Sequence, residues 1–132
     1  MAWVEVFATF VVCHLAGDYL LQTDWQAKHK RAGLGRDPVA RRALFSHVTS
    51  YTLAFVPAFI WLADDIGANV IWVAALVFVP HLIQDDGRAL TAYMEAVKGG
   101  EVPENLSVAA AVDQSFHFLT LFGIALLAAA AS

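Results

Sequence analysis

The arrangement of apolar residues limits this chain more than any other feature. They gather into four long runs, at about Ala2 to Gln22, Ala43 to Ala63, Ala68 to Asp86 and Leu106 to Ala131. Each run is long enough, or nearly so, to cross a hydrocarbon core, which takes about 20 helical residues. A helix that is apolar all round must be covered by lipid or by other helices. Composition points the same way, since 59% hydrophobic and 15% charged residues are too apolar a mixture for an ordinary water-soluble domain. The sequence therefore predicts an all-α polytopic membrane protein, a single domain over residues 1–132 built as a four-transmembrane-helix bundle. A nucleic-acid partner is not expected.

The first run opens on the acidic "MAWVE" and has no basic n-region, so it is expected to stay as a helix rather than to be cleaved as a signal peptide. A single cysteine, Cys13, excludes an internal disulfide and reads as a small packing residue. Positive charge is unevenly placed. Lys28, Lys30, Arg31, Arg36, Arg41 and Arg42 separate the first two runs, Arg88 and Lys98 separate the last two, and the connection "LADDIGAN" has neither Lys nor Arg. The positive-inside rule then puts both basic connections in the cytoplasm and both termini outside the cytoplasmic (inner) membrane. Trp3, Trp61 and Trp72 would sit near the outer interface and Trp25 near the inner one.

Within this frame Pro57 is expected to bend the second helix, and Gly33, Gly35 and Pro38 to turn the basic connection. "GRALTAYMEAVK" is expected to lie along the interface as an amphipathic piece. Asp24, Asp86 and Arg88 read as charges at headgroup level. The implied partners are the lipid bilayer, with anionic lipid headgroups at the basic loop, and a membrane-protein partner or a second copy of the chain.

Weak internal similarity relates the two halves. "HLAGD" in the first run matches "HLIQD" in the third, and "SHVTSYTLAF" aligns with "FHFLTLFGIA" on His47 and His117. This predicts two pseudo-repeated helical hairpins about an axis along the membrane normal. Three His/Asp pairs share a spacing of four: His14 with Asp18, His81 with Asp85, and Asp113 with His117. Residues four apart stack on one helix face. Because the order reverses in the outward-running helix, each histidine is expected deeper in the membrane and each aspartate about 6 Å nearer the cytoplasm. His47 joins the histidine layer, whereas its partner position is Ala43. That leaves the carboxylate layer open beside Ala43, with Arg41 and Arg42 adjacent.

Aspartates inside a membrane cost on the order of 2.5 to 3.5 kcal/mol each on insertion scales, so something must compensate them. Hydrogen-bonded pairing with histidine and water would do so, as would a proton or cation pathway. Metal is favoured, because imidazole with carboxylate is the ligand set of zinc, iron and manganese sites, and bundles aim such groups inward. The candidate metal ligands are His14, Asp18, His47, His81, Asp85, Asp113 and His117. Seven exceed what one tetrahedral ion needs, so either two divalent ions bind or some aspartates orient imidazoles from outside the ligand shell. Gln22, Gln84, Gln114, Ser50 and Tyr51 are candidates for that outer role.

"HLAGDYLLQTDWQAKHK", the isolated His47 followed by Tyr51, "HLIQD" and "DQSFH", taken in order over nearly the whole chain, resemble the bacterial and phage membrane family catalogued as domain of unknown function 3307. The resemblance implies a four-helix membrane protein with motif positions His14, Gly17, Asp18, Gln22, Lys30, His47, His81, Asp85, Asp113, Gln114 and His117, and brings no activity. A fainter similarity, resting on several membrane histidines and a His-x-x-x-Asp, is to the membrane-bound metal-dependent hydrolases, from whose order and loop this chain departs. A metal-dependent hydrolase acting at the inner leaflet is the expectation by that analogy. The alternatives are a non-catalytic subunit of a larger membrane complex and a cation or proton transport component.

Overall fold

The computed structural model describes residues 1–99 and 106–132, and every regular element among them is helical. In chain order these are α1 (Trp3–Leu15), a π-helical turn (Ala16–Leu20), α2 (Asp24–His29), α3 (Pro38–Ala54), α4 (Val56–Ile66), a 3-10 turn (Gly67–Asn69), α5 (Val70–Asp86), α6 (Arg88–Lys98) and α7 (Leu106–Ala130). The expected connection through "GGEVPEN" lies, past Gly99, outside the described residues.

Three stretches are long and apolar enough to cross a membrane: Trp3–Leu20, Val56–Asp86 and Val108–Ala130. The second of these contains α4 and α5, which fold against each other where Gly67 takes φ 56°, ψ −134°. The run expected at Ala43 to Ala63 is therefore not one apolar helix. Pro57 has no N–H to continue the ladder, and the helix breaks two residues earlier at Phe55, whose N–H bonds to the Thr52 carbonyl at 3.0 Å. On the α3 side of the break Arg41, Arg42, Ser46, His47, Ser50 and Thr52 make the helix too polar to qualify.

The Met1 ammonium lies 3.1 Å from Ser132 Oγ, so both termini meet at one end of the bundle. From this terminal end α1 and α5 run towards the opposite, basic end, and α3, α4 and α7 return. Val6, Phe10, Phe55, Leu62, Val73, Val77 and Ile124 fill the core of the terminal half. Large apolar side chains are as prominent outside: Leu20 is 81% exposed, Trp72 71%, Ile71 68% and Ile60 67%. A surface this apolar suits lipid rather than water.

At the basic end the connection between α1 and α3 is tied down by polar contacts. Thr23 and Gln26 cap α2 reciprocally, with Gln26 N–H donating to Thr23 Oγ1 at 3.2 Å and Thr23 N–H to Gln26 Oε1 at 2.9 Å. Gln26 Nε2 also reaches Ser46 Oγ on α3 at 3.2 Å. Asp86, expected as a headgroup-level charge, is buried against the protein. It is 4% exposed, and its carboxylate accepts from Leu34 N–H at 2.8 Å and Arg88 Nε at 2.6 Å, while its carbonyl accepts from Ala32 N–H at 2.8 Å. The turn expected at the glycines puts its left-handed residue at Ala32 (φ 58°) instead. Gly33 is needed for space, because a Cβ there would lie 2.5 Å from Leu44 Cβ and 2.7 Å from the Ala40 carbonyl oxygen. These contacts hold Lys30 over the end of α5.

Candidate metal centre

The geometry of the cluster follows from helix direction. A Cα–Cβ bond tilts towards the N-terminus of its helix. Asp18 and Asp85, on the two elements that run to the basic end, therefore lean back into the bundle, whereas His47, on returning α3, leans out to meet them. The two layers expected about one turn apart merge into one. His47 Nε2 lies 2.8 Å from Asp85 Oδ2, 3.2 Å from Asp18 Oδ1 and 3.2 Å from His81 Nε2, and His81 Nε2 lies 3.2 Å from Asp85 Oδ2 and 3.3 Å from Asp18 Oδ1. One ligand atom from each of Asp18, His47, His81 and Asp85 lies within 4.8 Å of all the others.

Local structure serves these contacts. The π turn bonds Leu21 N–H to the Ala16 carbonyl at 2.9 Å and so changes the angle at which Asp18 leaves the helix. Gly17 lets α1 and α3 approach there, since a Cβ would come within 2.6 Å of Tyr51 Cδ2 and 3.2 Å of Tyr51 Cα. The Tyr51 ring lies flat on the His81 imidazole, with centroids 3.4 Å apart and planes 3° from parallel. Stacking thus fixes the orientation of a histidine whose Nδ1 has no hydrogen bond.

The other expected ligands divide by their partners. His14 is fully buried with both nitrogens engaged: Nε2 donates to Gln114 Oε1 at 2.9 Å, and Nδ1 accepts from the Tyr51 hydroxyl at 3.1 Å. Gln114 Nε2 faces Asp113 Oδ2 at 3.4 Å, which agrees with that amide orientation. The structure thus makes His14 an anchor for Tyr51. His117 Nδ1 donates to the Asp113 carbonyl at 2.8 Å, so its Nε2, 3.4 Å from Asp85 Oδ1, is the free nitrogen. Asp113, on returning α7, leans towards the basic end and away from the cluster, with its side chain 26% exposed.

Lys30 completes the site, and charge counting along the sequence did not single it out. Its Nζ donates to Asp85 Oδ2 at 2.7 Å and Gln22 Oε1 at 2.6 Å. The opening lies on this side, not beside Ala43, which is fully buried under α2. A cavity of about 270 Å³ is lined by Asp18, Tyr19, Gln22, Lys30, Asp113 and Gln114. Another of about 240 Å³ reaches Lys30, Arg31, Gln84, Asp85 and Asp113.

The residues fit a cation. Asp18 Oδ1 and His117 Nε2 are buried without a hydrogen-bond partner. At bond lengths of about 2.1 Å, ligand atoms stand about 3.0 Å apart in an octahedron and about 3.4 Å apart in a tetrahedron. The five separations of 2.8 to 3.3 Å lie close to that range. Two neutral imidazoles present at most two N–H groups to this crowd, whereas a central cation would satisfy all four atoms at once.

A family model described as Protein of unknown function (DUF3307) matches residues 6–132. The chain belongs to that family. No curated protein and no solved structure matches it. The DUF3307 motif positions anticipated from the resemblance acquire distinct places: Asp18, His47, His81 and Asp85 in the cluster, Lys30 and Gln22 over it, Gly17, His14 and Gln114 around Tyr51, and His117 and Asp113 at its edge.

Proposed function

We propose that this member of DUF3307 is a four-crossing protein of the cytoplasmic membrane. In this reading it binds a divalent transition metal through Asp18, His47, His81 and Asp85, and hydrolyses an anionic ester at the inner leaflet. The compact spacing of four donor atoms from three helical segments carries the metal reading. His117, directed at Asp85 Oδ1, is the fifth ligand or part of a second ion's site. Zinc, iron and manganese all suit this donor set.

The fourth crossing is α3 with α4, kinked at Phe55. Two pseudo-repeated hairpins are supported by the packing order, since α1 lies on α7 as α5 lies on α3, and by the short helices α2 and α6 that follow the two His-x-x-x-Asp segments. Basic residues near the cluster end support a cytoplasmic position for that end, with both termini outside. A cysteine at Ala68, in a Cys13→Ser background, should react from outside the cell; reaction only from the cytoplasm overturns this topology.

When bound, the ion would polarise an ester and lower the pKa of a water molecule. Lys30 neutralises Asp85 and faces the cavity in which the ester's negative charge would rest. Asp113 lines the same cavities without belonging to the four-residue cluster, and would take the proton from a water molecule held in them. Hydrolysis is supported by the open cavities and the polar groups around them. Purification without chelators should yield about one zinc, iron or manganese per chain, and His47→Ala should lose it. Well under one ion per chain in the unaltered protein would remove the proposal.

A further inference from the structure

The polar cavities beside the cluster continue into an apolar groove. Between α6 and α7 a cavity of about 290 Å³ is lined by Gln84, Ala89, Leu90, Tyr93, Asp113 and Phe116. It shares Gln84, Leu90 and Asp113 with the cavity at Lys30 and Arg31. Tyr93 and Phe116 meet edge to face at 4.9 Å and wall its apolar part. The helix α6 has the strongly two-sided pattern of a segment lying in the headgroup plane, so this groove borders the acyl region while its other end reaches Asp85. Arg31 has no ion-pair partner among the described residues, and donates from Nη2 to Thr91 Oγ1 on α6 at 3.3 Å. A guanidinium without an ion-pair partner among the described residues thus lines the polar cavity that adjoins the apolar groove.

We infer that this cleft binds one anionic glycerophospholipid, with the phosphate at Arg31 and Lys30 and an acyl chain along Leu90, Tyr93 and Phe116. The inference rests on the ester-hydrolase reading for its sense and names the substrate class. Arg31 selects the occupant, because Lys30 in the same lining is already paired with Asp85 while Arg31 meets only the Thr91 hydroxyl. A neutral apolar molecule would leave Arg31 unused, and a small free anion would leave the groove unfilled. A phospholipid from the surrounding leaflet matches both parts with no change of depth.

The full chain in nanodiscs of phosphatidylglycerol and phosphatidylcholine, probed with a trace of either lipid carrying a diazirine on its acyl chain, tests this directly. Phosphatidylglycerol label should concentrate on residues 89–93 and Phe116, exceeding the phosphatidylcholine label there by about fivefold, the equivalent of ~1 kcal/mol for one basic residue at an anionic headgroup. Arg31→Gln should remove that preference, and Leu90→Trp, which fills the groove, should remove the label itself. Equal labelling by the two lipids, or label spread over Leu53, Ile60 and Leu119 with no excess in the groove, overturns the cleft whatever the variants do. Selective labelling of a chain that binds no metal would retain the cleft and remove the hydrolase. Unselective labelling of a metal-loaded chain would do the reverse.

Discussion

The two ends of this bundle use the same helices for opposite purposes. At the terminal end they meet through the buried apolar side chains of Val6, Phe10, Leu62, Val73, Val77 and Ile124. Towards the basic end they meet through His14, Asp18, His47, His81, Asp85 and His117, all buried. Four buried polar atoms there, Asp18 Oδ1, His47 Nδ1, His81 Nδ1 and His117 Nε2, lack a hydrogen-bond partner. A chain selected only for stability would spread its apolar packing through both ends, because an unsatisfied buried polar group costs about 1–3 kcal/mol. The terminal half is thus packed for stability, and the basic half holds the buried polar groups on which the proposed metal site rests.

Gly17→Ala should erase the distinction by damaging both halves. Its Cβ would lie 2.6 Å from Tyr51 Cδ2 and 3.2 Å from Tyr51 Cα, and backbone cannot yield as a flexible side-chain tip can. Separation of α1 from α3 should abolish metal retention and leave little monodisperse protein on size exclusion. Normal elution with metal bound would mean that the close approach at Gly17 is dispensable.

A pair of substitutions sharpens the contrast. Leu62→Ala, at a fully buried scaffold position, should lower unfolding stability by about 2–5 kcal/mol while the folded fraction keeps its metal. His47→Ala should do the converse, weakening metal binding by more than the roughly 10- to 100-fold typical of outer-sphere changes and leaving stability in excess chelator little altered. Stability curves and metal titrations on both variants decide the matter, and equal effects of both on metal would dissolve the division between the halves.

A smaller effect is expected from Tyr51→Phe. The ring stacked on His81 remains, but the hydroxyl bonded to His14 is lost. Stability should fall by about 1 kcal/mol and metal affinity by no more than about tenfold. Complete metal loss would show that the hydroxyl itself is a ligand, contrary to its place against His14.

Much of this arrangement was legible in the sequence. The last helix was expected at Leu106 to Ala131 and ends at Ala130; the amphipathic piece became α6. Asp18, His81 and Asp85 were found because residues four apart share a helix face whatever the tertiary fold, and His47 through its internal alignment with His117. Their division of labour was not legible. His14 and His81 occupy equivalent places in "HLAGD" and "HLIQD", yet one anchors Tyr51 and the other faces Asp18 and Asp85. That choice depends on Gln114, a hundred residues away. Lys30 was named by the family resemblance alone, since the positive-inside rule already accounted for its charge and nothing local pointed to Asp85. Its contact with Asp85 depends on Asp86 holding the loop, through a hydrogen bond between residues 52 positions apart.

The central claim is that two histidines and two aspartates share one ion while His14 holds the tyrosine beside them. X-ray absorption of the metal-loaded protein tests it most directly, because imidazole rings in the ligand shell can be counted. The account predicts nitrogen and oxygen ligands at about 2.0 to 2.2 Å, including the rings of His47 and His81 with at most His117 as a third. One ring should be lost in His81→Ala, and none in His14→Ala. A shell without imidazole, or one that loses a ring in His14→Ala, would contradict it.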